Sequence, residues 1–452
     1  MTNIILERRK NLINKIMYPY IHLIPFQDRA ILYLNGSMKC IQLSTKEYMN
    51  FCKGIIIPQL CELLCENERM YNQHNELRLG AVGLTLNIAN KCNLHCSYCY
   101  ANGGNYHSRD ELMHPDVAAI AIRKFAIHFG ELKRVKFFGG EPFLNPAAIR
   151  VACETCIKLT GEGILKQLPD FTAVTNGSIL TQELIDLINK YNIGVTVSYD
   201  GERVMQDILR PDAFGKGSNE RVLANVQWLQ VATNYKQPSS VEVTYTQLHM
   251  QNGVSVEQCY NNVKRFMNVE NIKITPVSCK KTDVHYLHKI DSFHAAIKSG
   301  YKNNPPNRQI VEKAYRLYQI LQYRKKSDRI FCGAGINRFS VSADGRVYPC
   351  YLFTNDDEFC IGNVLSFKFS LKDYETARIR LMKYDRFVFN ECKDCWASSF
   401  CFGCRGNNRR LTGNADVPSS DFCEMLKEIA ENLLCCMLEM GEIGTLDDVK
   451  LG

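Results

Sequence analysis

The sequence predicts an α/β fold in which a parallel sheet curves into a partial barrel of six strand–helix units. Between residues 81 and 276, short β-prone apolar runs alternate with amphipathic helical runs. Crossovers between parallel strands are right-handed, so repeated units of this kind align the carboxyl ends of the strands along one edge. Barrels carry their chemistry at that edge, and three cysteines follow the first predicted strand there.

Each unit of the barrel is predicted from its own pattern of apolar residues. The strands are predicted at 83–89, 134–138, 171–175, 194–199, 241–246 and 272–275. The helices between them are predicted at 115–129, 146–160, 182–191, 219–233 and 255–267.

The segments outside the barrel predict four further regions. Residues 1–80 predict a small domain, with strands at 20–26, 30–36 and 38–44 and helices at 45–53 and 58–74. Residues 277–331 predict a bridging region with an amphipathic helix at 309–325, and we assign no role to its two closely spaced histidines, His285 and His288. A cysteine-rich domain at 332–440 ends in a helix predicted at 420–440, and a tail follows at 441–452.

The composition indicates a folded protein of a reducing compartment. The chain has 452 residues, 46% of them hydrophobic, which allows cores in two or three domains. Without a signal-peptide pattern or a long apolar run, we expect a cytoplasmic protein and no membrane partner. Thiols stay reduced there, so the 21 cysteines indicate metal or cluster ligation. The net charge of +8 is spread out, which favours solvated surface over a nucleic-acid partner.

The first cysteine group lies in KCNLHCSYCY, which contains Cys92, Cys96 and Cys99. A four-iron cluster takes four thiolates, so three from one loop leave one iron open to a small chelating molecule. Further along, the predicted strand VKFFG runs into Gly139, Gly140, Glu141 and Pro142. By itself this run also fits an ordinary turn between a strand and a helix.

Taken together, the Cys-x3-Cys-x2-Cys spacing, the aromatic Tyr98 and the Gly-Gly-Glu-Pro run resemble the radical S-adenosylmethionine (SAM) superfamily. The resemblance implies a [4Fe-4S] cluster on the three cysteines, with SAM chelated to the open iron. It implies that reduced cluster and SAM yield a 5′-deoxyadenosyl radical. The residues that it places around SAM are Tyr98, Gly139, Gly140, Glu141, Pro142, Asn176, Ser198, Asp200 and Arg210. For Arg210, a surface loop position is an equal alternative.

The second cysteine group resembles the SPASM extension found behind radical SAM barrels that modify peptides and proteins. Its members are Cys332, Cys350, Cys392, Cys395, Cys401, Cys404 and Cys423. The resemblance implies two auxiliary iron–sulfur clusters, one held by Cys392, Cys395, Cys401 and Cys423 and the other by Cys332, Cys350 and Cys404. A fourth ligand to the second cluster is either Cys360 or a substrate thiolate. The sequence departs from the usual pattern because two residues, not three, separate Cys401 from Cys404, and a zinc site is the alternative.

The resemblance implies a peptide maturase that joins a cysteine sulfur to a carbon atom in a ribosomally made precursor. The predicted layout of residues 1–80 resembles the winged-helix-like domain that captures leader peptides, although a structural cap on the barrel explains it equally well. A flavodoxin or ferredoxin would supply electrons. The alternatives are a peptide carbon–carbon crosslinking enzyme, a sulfatase-maturing enzyme that forms formylglycine, and a non-catalytic iron–sulfur or zinc protein. Sulfatase-maturing relatives carry an acidic residue where Tyr351 stands here, which disfavours that reading.

Overall fold

The structure is a computed structural model that describes residues 21–56, 58–71, 82–302, 311–324, 332–369 and 389–448. These residues form two compact units. The barrel unit is drawn from residues 78–289 and 333–383, and the terminal unit from residues 1–77, 290–332 and 384–452. Within the described ranges, no helix is both long and apolar enough to cross a bilayer.

Strands and helices are numbered along the chain. The strands are β1 (Ile21–Phe26), β2 (Arg29–Leu34), β3 (Lys39–Ser44), β4 (Val82–Asn90), β5 (Glu111–Leu112), β6 (Leu132–Gly139), β7 (Asp170–Thr175), β8 (Gly194–Ser198), β9 (Ser240–Tyr245), β10 (Ile272–Pro276), β11 (Arg338–Val341), β12 (Arg346–Tyr348) and β13 (Gly362–Asn363). The helices are α1 (Thr45–Cys52), α2 (Pro58–Tyr71), α3 (Pro115–Phe129), α4 (Pro146–Gly161), α5 (Gln182–Tyr191), α6 (Arg203–Leu209), α7 (Asn219–Ala232), α8 (Gln247–Gln251), α9 (Val256–Met267), α10 (Asp291–Lys302), α11 (Glu312–Gln322), α12 (Asn390–Lys393), α13 (Arg405–Thr412) and α14 (Ser420–Glu439).

The barrel unit is built on one large sheet, in which six parallel strands lie in the order β10-β9-β8-β7-β6-β4. On the other side of β4, β11 adds a further parallel strand, and β12 and β13 continue the sheet antiparallel. All carboxyl ends of the six barrel strands therefore share one edge. The short hairpin that precedes Cys350 belongs to the same sheet as the cluster-bearing strand β4.

Asn145 fastens the outer helix α4 to the end of β4. It is 5% exposed, and its Oδ1 accepts the Ala148 amide of the first helical turn at 3.2 Å. Its Nδ2 donates to the carbonyl oxygens of Ile88 and Met113, both at 2.9 Å. Buried backbone carbonyls need such partners, so one cap residue fixes both the helix start and the strand end.

The terminal unit contains a three-stranded antiparallel sheet in the order β1-β2-β3, followed by α1 and α2. Apolar residues of this sheet and of the two helices share one core, whose buried members include Leu32, Leu34, Ile41, Leu60 and Leu63. The β3 edge also receives the C-terminal segment, since the Gln42 amide donates to the Gly444 carbonyl oxygen at 2.8 Å. Segments from both ends of the chain thus meet in this unit.

The predicted fold class is confirmed, and every predicted barrel strand and helix has a counterpart within a residue or two at its ends. The sequence did not predict several elements, among them β5, α6, α8, α10, β11, β12, α12 and α13. Helix α6 has seven residues, and β11 and β12 have four and three, which is too few for a periodic signal. Helix α10 lies in the bridging region, where the sequence predicted only the helix at 309–325. The ends predicted for the helices at 58–74 and 309–325, beyond Tyr71 and on both sides of α11, lie outside the described residues.

His249 predicts a pH-dependent stability of the barrel unit. Its Nδ1 accepts the Thr246 amide at 3.1 Å, and its Nε2 lies 3.0 Å from the Asp200 carbonyl oxygen, which only accepts. The imidazole is therefore neutral with its proton on Nε2. Burial lowers the pKa of His249, against a smaller opposing effect of the Asp200 carboxylate.

Because the folded state resists protonation of His249, the unfolded chain binds the extra proton as the pH falls below about 6.5. We expect the free energy of unfolding to decrease with falling pH in that range, and the His249→Gln variant to lose this part of the slope. Urea denaturation of the metal-free protein at about pH 7.5 and about pH 5.5 measures both slopes. Equal slopes for the two proteins would contradict this account of His249.

Candidate active site

One loop at the carboxyl end of β4 brings three cysteines together. This cluster loop comprises residues 91–100 and carries Cys92, Cys96 and Cys99, all partly exposed. The Cys99 amide donates to the Cys96 carbonyl oxygen at 3.0 Å, which makes a tight turn between the last two thiols. The three predicted ligands therefore lie within one short segment that a single cluster can bridge.

The segment after α6 supports the cluster loop through its backbone. The His95 amide donates to the Pro211 carbonyl oxygen at 2.7 Å, and the Ser97 amide donates to the Leu209 carbonyl oxygen at 2.9 Å. Two such bonds, on alternate residues, hold the loop as an additional strand would be held.

The Cys92 sulfur lies among hydrogen-bond donors. The Leu94 amide is 3.4 Å from it and the Asn176 Nδ2 is 3.6 Å from it. The same Nδ2 donates to Asn93 Oδ1 at 3.0 Å, which orients the amide. Burial raises the pKa of the Cys92 thiol to about 12, so without metal the thiol keeps its proton at neutral pH. A metal ligand must be a thiolate, and these donors are placed to stabilise one.

A buried ion pair lies behind Cys96. Arg210 Nε donates to Asp200 Oδ2 at 2.9 Å, and the two side chains are 9% and 0% exposed. The Tyr98 hydroxyl donates to the same Asp200 oxygen at 2.6 Å. Arg210 Nη1 lies 3.9 Å from Cys96 Sγ. Burial raises the pKa of Cys96 to about 11, and the Arg210 charge opposes that rise. One network thus joins a predicted cluster ligand to three residues predicted to contact SAM.

The Gly-Gly-Glu-Pro run lies directly against the cluster loop. The Gly140 amide donates to the Ala89 carbonyl oxygen at 2.7 Å, and the Glu141 amide donates to the Lys91 carbonyl oxygen at 2.9 Å. A Cβ on Gly140 would lie 2.2 Å from the Lys91 carbonyl oxygen. Gly139 has φ +131°, and its Cβ would lie 2.3 Å from the Ala89 carbonyl oxygen. Only glycine allows this approach of the two backbones.

The Glu141 carboxylate is fully buried and bonded within the protein. It accepts the Phe143 amide at 2.9 Å, the Thr175 hydroxyl at 2.7 Å and the Asn176 amide at 2.7 Å. Burial raises the pKa of Glu141 to about 7, and the three hydrogen bonds oppose the rise. The carboxylate therefore ties the end of β7 to the run that Pro142 closes. A contact between this run and the SAM amino group stays a prediction, best met by its backbone carbonyl groups.

The other residues predicted to contact SAM lie at two neighbouring strand ends. Asn176 follows β7, Ser198 is the last residue of β8, and Asp200 follows it. Asp200 also accepts the Thr244 amide at 3.2 Å. The sequence did not predict that Asp200 and Arg210 pair with each other. Asp200 accepts hydrogen bonds from Arg210, Tyr98 and Thr244. A direct contact of Asp200 or Arg210 with SAM stays a prediction.

Tyr351, which follows Cys350, lies in a group of aromatic side chains at the same end of the sheet. Its ring packs on Phe138 with 4.6 Å between centroids. The Lys136 ammonium lies 4.3 Å from the Phe138 centroid and 5.2 Å from that of Tyr351, and burial lowers the pKa of Lys136. The position after Cys350 therefore presents a phenol beside a cation rather than a carboxylate side chain.

Within the terminal unit, the C-terminal cysteines form two neighbourhoods. Burial raises the pKa of Cys423 to about 12, and Cys401 and Cys395 lie close enough to add to that rise. Cys404 caps α13 by accepting the Asn407 amide at 3.5 Å, and its pKa is raised by burial and by nearby Cys332. The Cys395 amide donates to the carbonyl oxygen of Cys392 at 3.2 Å. Cys395, Cys401 and Cys423 therefore lie near one another, and Cys404 lies near Cys332. The assignment of these cysteines to two clusters stays a prediction.

The barrel unit holds Cys350, directly after β12, and Cys360. The Cys360 thiol donates to the Gly362 carbonyl oxygen at 3.5 Å. Burial raises the pKa of Cys360, and the charge of nearby Arg346 opposes part of that rise. No group of three or more His, Cys, Asp or Glu side chains in the described ranges converges tightly enough to hold a single metal ion.

Two residues beside the cluster loop were not found from the sequence. Gly104 has φ +91°, and a Cβ there would lie 2.4 Å from the Gly140 Cα. The Tyr106 hydroxyl lies 3.4 Å from the Gly139 carbonyl oxygen. The pair Gly103-Gly104 was the available signal, since two adjacent glycines after a ligand loop indicate close backbone approach.

Comparison with known proteins agrees with these observations. The profile of the radical SAM superfamily matches residues 86–260, and that of an iron–sulfur cluster-binding domain, SPASM, matches residues 332–396. The radical SAM cyclopropyl synthase TigE of Paramaledivibacter caminithermalis is 24% identical over 80% of this chain and 78% of its own length. The subtilosin biosynthesis protein AlbA of Bacillus subtilis is 21% identical over 77% of this chain and 72% of its own length.

Solved structures share the fold. The structure of anSMEcpe with bound AdoMet has a TM-score of 0.65 and 20% identity, covering 80% of this chain and 99% of that one. Streptococcus suis SuiB bound to its precursor peptide SuiA has a TM-score of 0.55 and 13% identity, covering 90% of this chain and 99% of that one.

The partial barrel, the three-cysteine loop and the cysteine-rich region that follows define an iron–sulfur enzyme of the class that uses SAM. The chain is a radical SAM enzyme with a SPASM domain. Its barrel domain binds a [4Fe-4S] cluster and SAM, and its SPASM domain is an iron–sulfur cluster-binding domain.

The close approach at Gly140 predicts that Gly140→Ala displaces the cluster loop. The added methyl would meet the Lys91 backbone, which cannot move without moving Cys92. We expect a loss of about 2–4 kcal/mol in unfolding free energy and poor iron incorporation. Iron analysis after anaerobic reconstitution and urea denaturation test this. Gly161→Ala is the control, because a Cβ there meets nothing within 4 Å. Full iron binding by Gly140→Ala would contradict the prediction.

The ion pair behind Cys96 predicts two opposite shifts in the reduction potential of the cluster. Asp200→Asn leaves the Arg210 charge unopposed, which should raise the potential. The double variant Asp200→Asn/Arg210→Gln removes the cation as well, which should lower it relative to the single variant by about 0.1 V, for a unit charge about 6 Å away at an effective dielectric constant of about 20. Spectroscopic redox titration measures both. Identical potentials in the two variants would show that Arg210 does not act on the cluster.

Proposed function

We propose that this enzyme is a peptide maturase that installs thioether links between cysteine sulfur and carbon in a ribosomally made, cysteine-containing precursor. The proposal places it in the cytoplasm, with a flavodoxin or ferredoxin as electron donor. The observation that carries the proposal is the coexistence of two groups of neighbouring cysteines, one on the cluster loop and one in the terminal unit. Relatives support the peptide substrate, since AlbA takes part in bacteriocin biosynthesis and SuiB binds a precursor peptide.

The protein residues have distinct tasks in this proposal. Cys92, Cys96 and Cys99 would hold the SAM-binding cluster. When bound, cluster and SAM supply a 5′-deoxyadenosyl radical that removes a hydrogen atom from an unactivated C–H bond. Arg210 and Asn176 place donors beside two of the ligand sulfurs and so offset the charge of the thiolates. The Gly139–Pro142 run closes one side of the site by backbone contact, which limits the access of water.

The C-terminal cysteines would hold two auxiliary clusters. Cys392, Cys395, Cys401 and Cys423 are assigned to one, and Cys332, Cys350 and Cys404 to the other. With three protein ligands, the second cluster would offer a site where a substrate thiolate replaces a fourth cysteine. Cys360, whose thiol bonds the Gly362 carbonyl oxygen, is better accounted for as a structural residue.

Residues 1–80 would recognise the leader of the precursor. Their support is the three-stranded antiparallel sheet followed by α1 and α2, the layout of a small peptide-capturing domain. An antiparallel sheet with helices on one side binds extended peptides by main-chain pairing or in the groove beside a helix.

Carbon–carbon bond formation is the second candidate, favoured by the likeness to the cyclopropyl synthase TigE. The two differ in the fate of the substrate thiol, because a thioether consumes one thiol per bond and a carbon–carbon link consumes none. Formylglycine formation is disfavoured by the environment of Tyr351, a phenol that packs on Phe138 where that chemistry needs a base.

We predict that the reduced, reconstituted enzyme forms 5′-deoxyadenosine from SAM and removes two hydrogen atoms per bond from its precursor. The substrate to use is the product of a short, cysteine-rich reading frame sought beside this gene, tested with and without its leader. Mass spectrometry after thiol alkylation separates the candidates: a lost alkylation site supports the thioether, and an unchanged count supports the carbon–carbon link.

The matched control replaces Cys92, Cys96 and Cys99 by alanine and should form no 5′-deoxyadenosine. Cleavage of SAM without any change in peptide mass would count against a peptide substrate. Equal turnover of the leaderless peptide would count against leader recognition by residues 1–80. A wild-type enzyme that binds iron fully but never cleaves SAM would overturn the catalytic reading altogether.

A further inference from the structure

We propose that Asn35 is a positioning residue for the auxiliary cluster assigned to Cys392, Cys395, Cys401 and Cys423. The inference rests on that proposed cluster. It adds that the turn between β2 and β3 of the N-terminal sheet forms part of the cluster site, although it lies about 360 residues away in the sequence.

The side chain of Asn35 is bonded to the cysteine loop on both of its polar atoms. Its Nδ2 donates to the Cys395 carbonyl oxygen at 3.2 Å and to Ser398 Oγ at 2.9 Å. Its Oδ1 accepts the Ser399 amide at 3.1 Å, and its backbone carbonyl accepts the Ser399 hydroxyl at 2.5 Å. Asn35 is 0% exposed, so water does not compete for these bonds.

The turn that carries Asn35 is fixed from its other side by α2. Asn67 Oδ1 accepts the amides of Gly36 at 2.6 Å and Ser37 at 3.0 Å. A Cβ on Gly36 would lie 1.9 Å from the Asn67 carbonyl oxygen, so only glycine fits there. The Tyr71 hydroxyl at the end of α2 donates to the Lys393 carbonyl oxygen at 2.7 Å. Asn35 therefore presents its amide from a fixed frame.

A second tie joins the sheet to the helix that bears Cys423. The His22 ring on β1 stacks on Trp396 with 3.8 Å between centroids and 4° between planes. His22 Nε2 lies 2.7 Å from Glu431 Oε1 on α14. Tyr33 and Phe400 pack edge-on against the same Trp396 ring. The sheet thus contacts both segments that contribute ligands to this cluster.

This arrangement gives the sheet control over the cluster geometry. From Cys392 to Cys404 the regular structure is limited to the last two residues of α12, so the loop takes its shape from what packs against it. Outer contacts of this kind orient ligands and set cluster potentials. The Asn35 Nδ2 group directs the positive end of its dipole at the carbonyl oxygen of Cys395. This positive end favours the reduced state of the cluster, which carries the additional electron.

The test uses full-length protein in which Cys92, Cys96 and Cys99 are replaced by alanine, so that auxiliary signals are seen alone. In this background we compare Asn35→Ala, Asn35→Asp and Ile41→Val. Asn35→Asp keeps the acceptor for the Ser399 amide but replaces the donor with negative charge. Ile41→Val is the control, because Ile41 is buried in the same sheet and belongs to its apolar core. Iron content, electron paramagnetic resonance and redox titration are the readouts.

We expect Asn35→Ala to shift the resonance spectrum and lower one auxiliary potential, and Asn35→Asp to lower it further. Ile41→Val should reduce the melting temperature while leaving spectrum and potential unchanged. If Asn35→Ala fails to fold, Tyr71→Phe removes a neighbouring bond to the same loop and should give a smaller shift of the same sign. Asn35 variants that match Ile41→Val in spectrum and potential would overturn the proposal.

Failure of the underlying cluster assignment has a different signature. If Cys395→Ala in the same background loses no iron, the cluster is not held by this loop, whatever the Asn35 variants do. If Cys395→Ala loses iron and the Asn35 variants keep the wild-type potential, the cluster assignment stands and the positioning role of Asn35 does not.

Discussion

The structure of the barrel unit depends on how closely two backbones approach at the end of β4. The amides of Gly140 and Glu141 donate to the carbonyl oxygens of Ala89 and Lys91. This approach is possible because Gly139 and Gly140 carry no side chains. Cys92 directly follows Lys91, so backbone bonds rather than side-chain packing set the position of the first predicted ligand. Backbone bonds in a buried setting are stiff, which suits a site whose cofactors must meet in one geometry.

Charge is distributed around the loop in a way that follows from that geometry. Three thiolates and an inorganic cluster would bring negative charge into a partly buried site, and such charge needs nearby donors or cations. Arg210 supplies a cation at Cys96, while Asp200 and Tyr98 hold it in place. The Glu141 carboxylate accepts hydrogen bonds from three protein donors, which stabilise its charge inside the protein. The same buried polar residues thus stabilise the folded barrel unit and set the charge around the cluster loop.

The strands and helices of the barrel could be predicted from the sequence, but the contacts among the polar residues of the site could not. The strand Asp170–Thr175 and the helix Gln182–Tyr191 have clear periodic patterns of apolar residues, and their bounds were predicted closely. The pairing of Asp200 with Arg210 depends on how the short helix α6 turns the chain, and no local pattern encodes that. The contact of Asn35 with the Cys395 loop joins residues from opposite ends of the chain, which periodicity cannot reveal.

The composition of the terminal unit has a consequence for biosynthesis. Its sheet precedes the barrel in the chain, whereas the partners of Asn35 and His22 lie near residues 395–431, after the barrel. Contacts of such long range form slowly, and the sheet cannot make them until the region around residues 395–431 has been translated. The barrel, whose strands come in order, can fold while the chain is still growing. Co-translational folding would therefore complete the housing for SAM first, and the auxiliary centre would mature only after the later cysteines have left the ribosome.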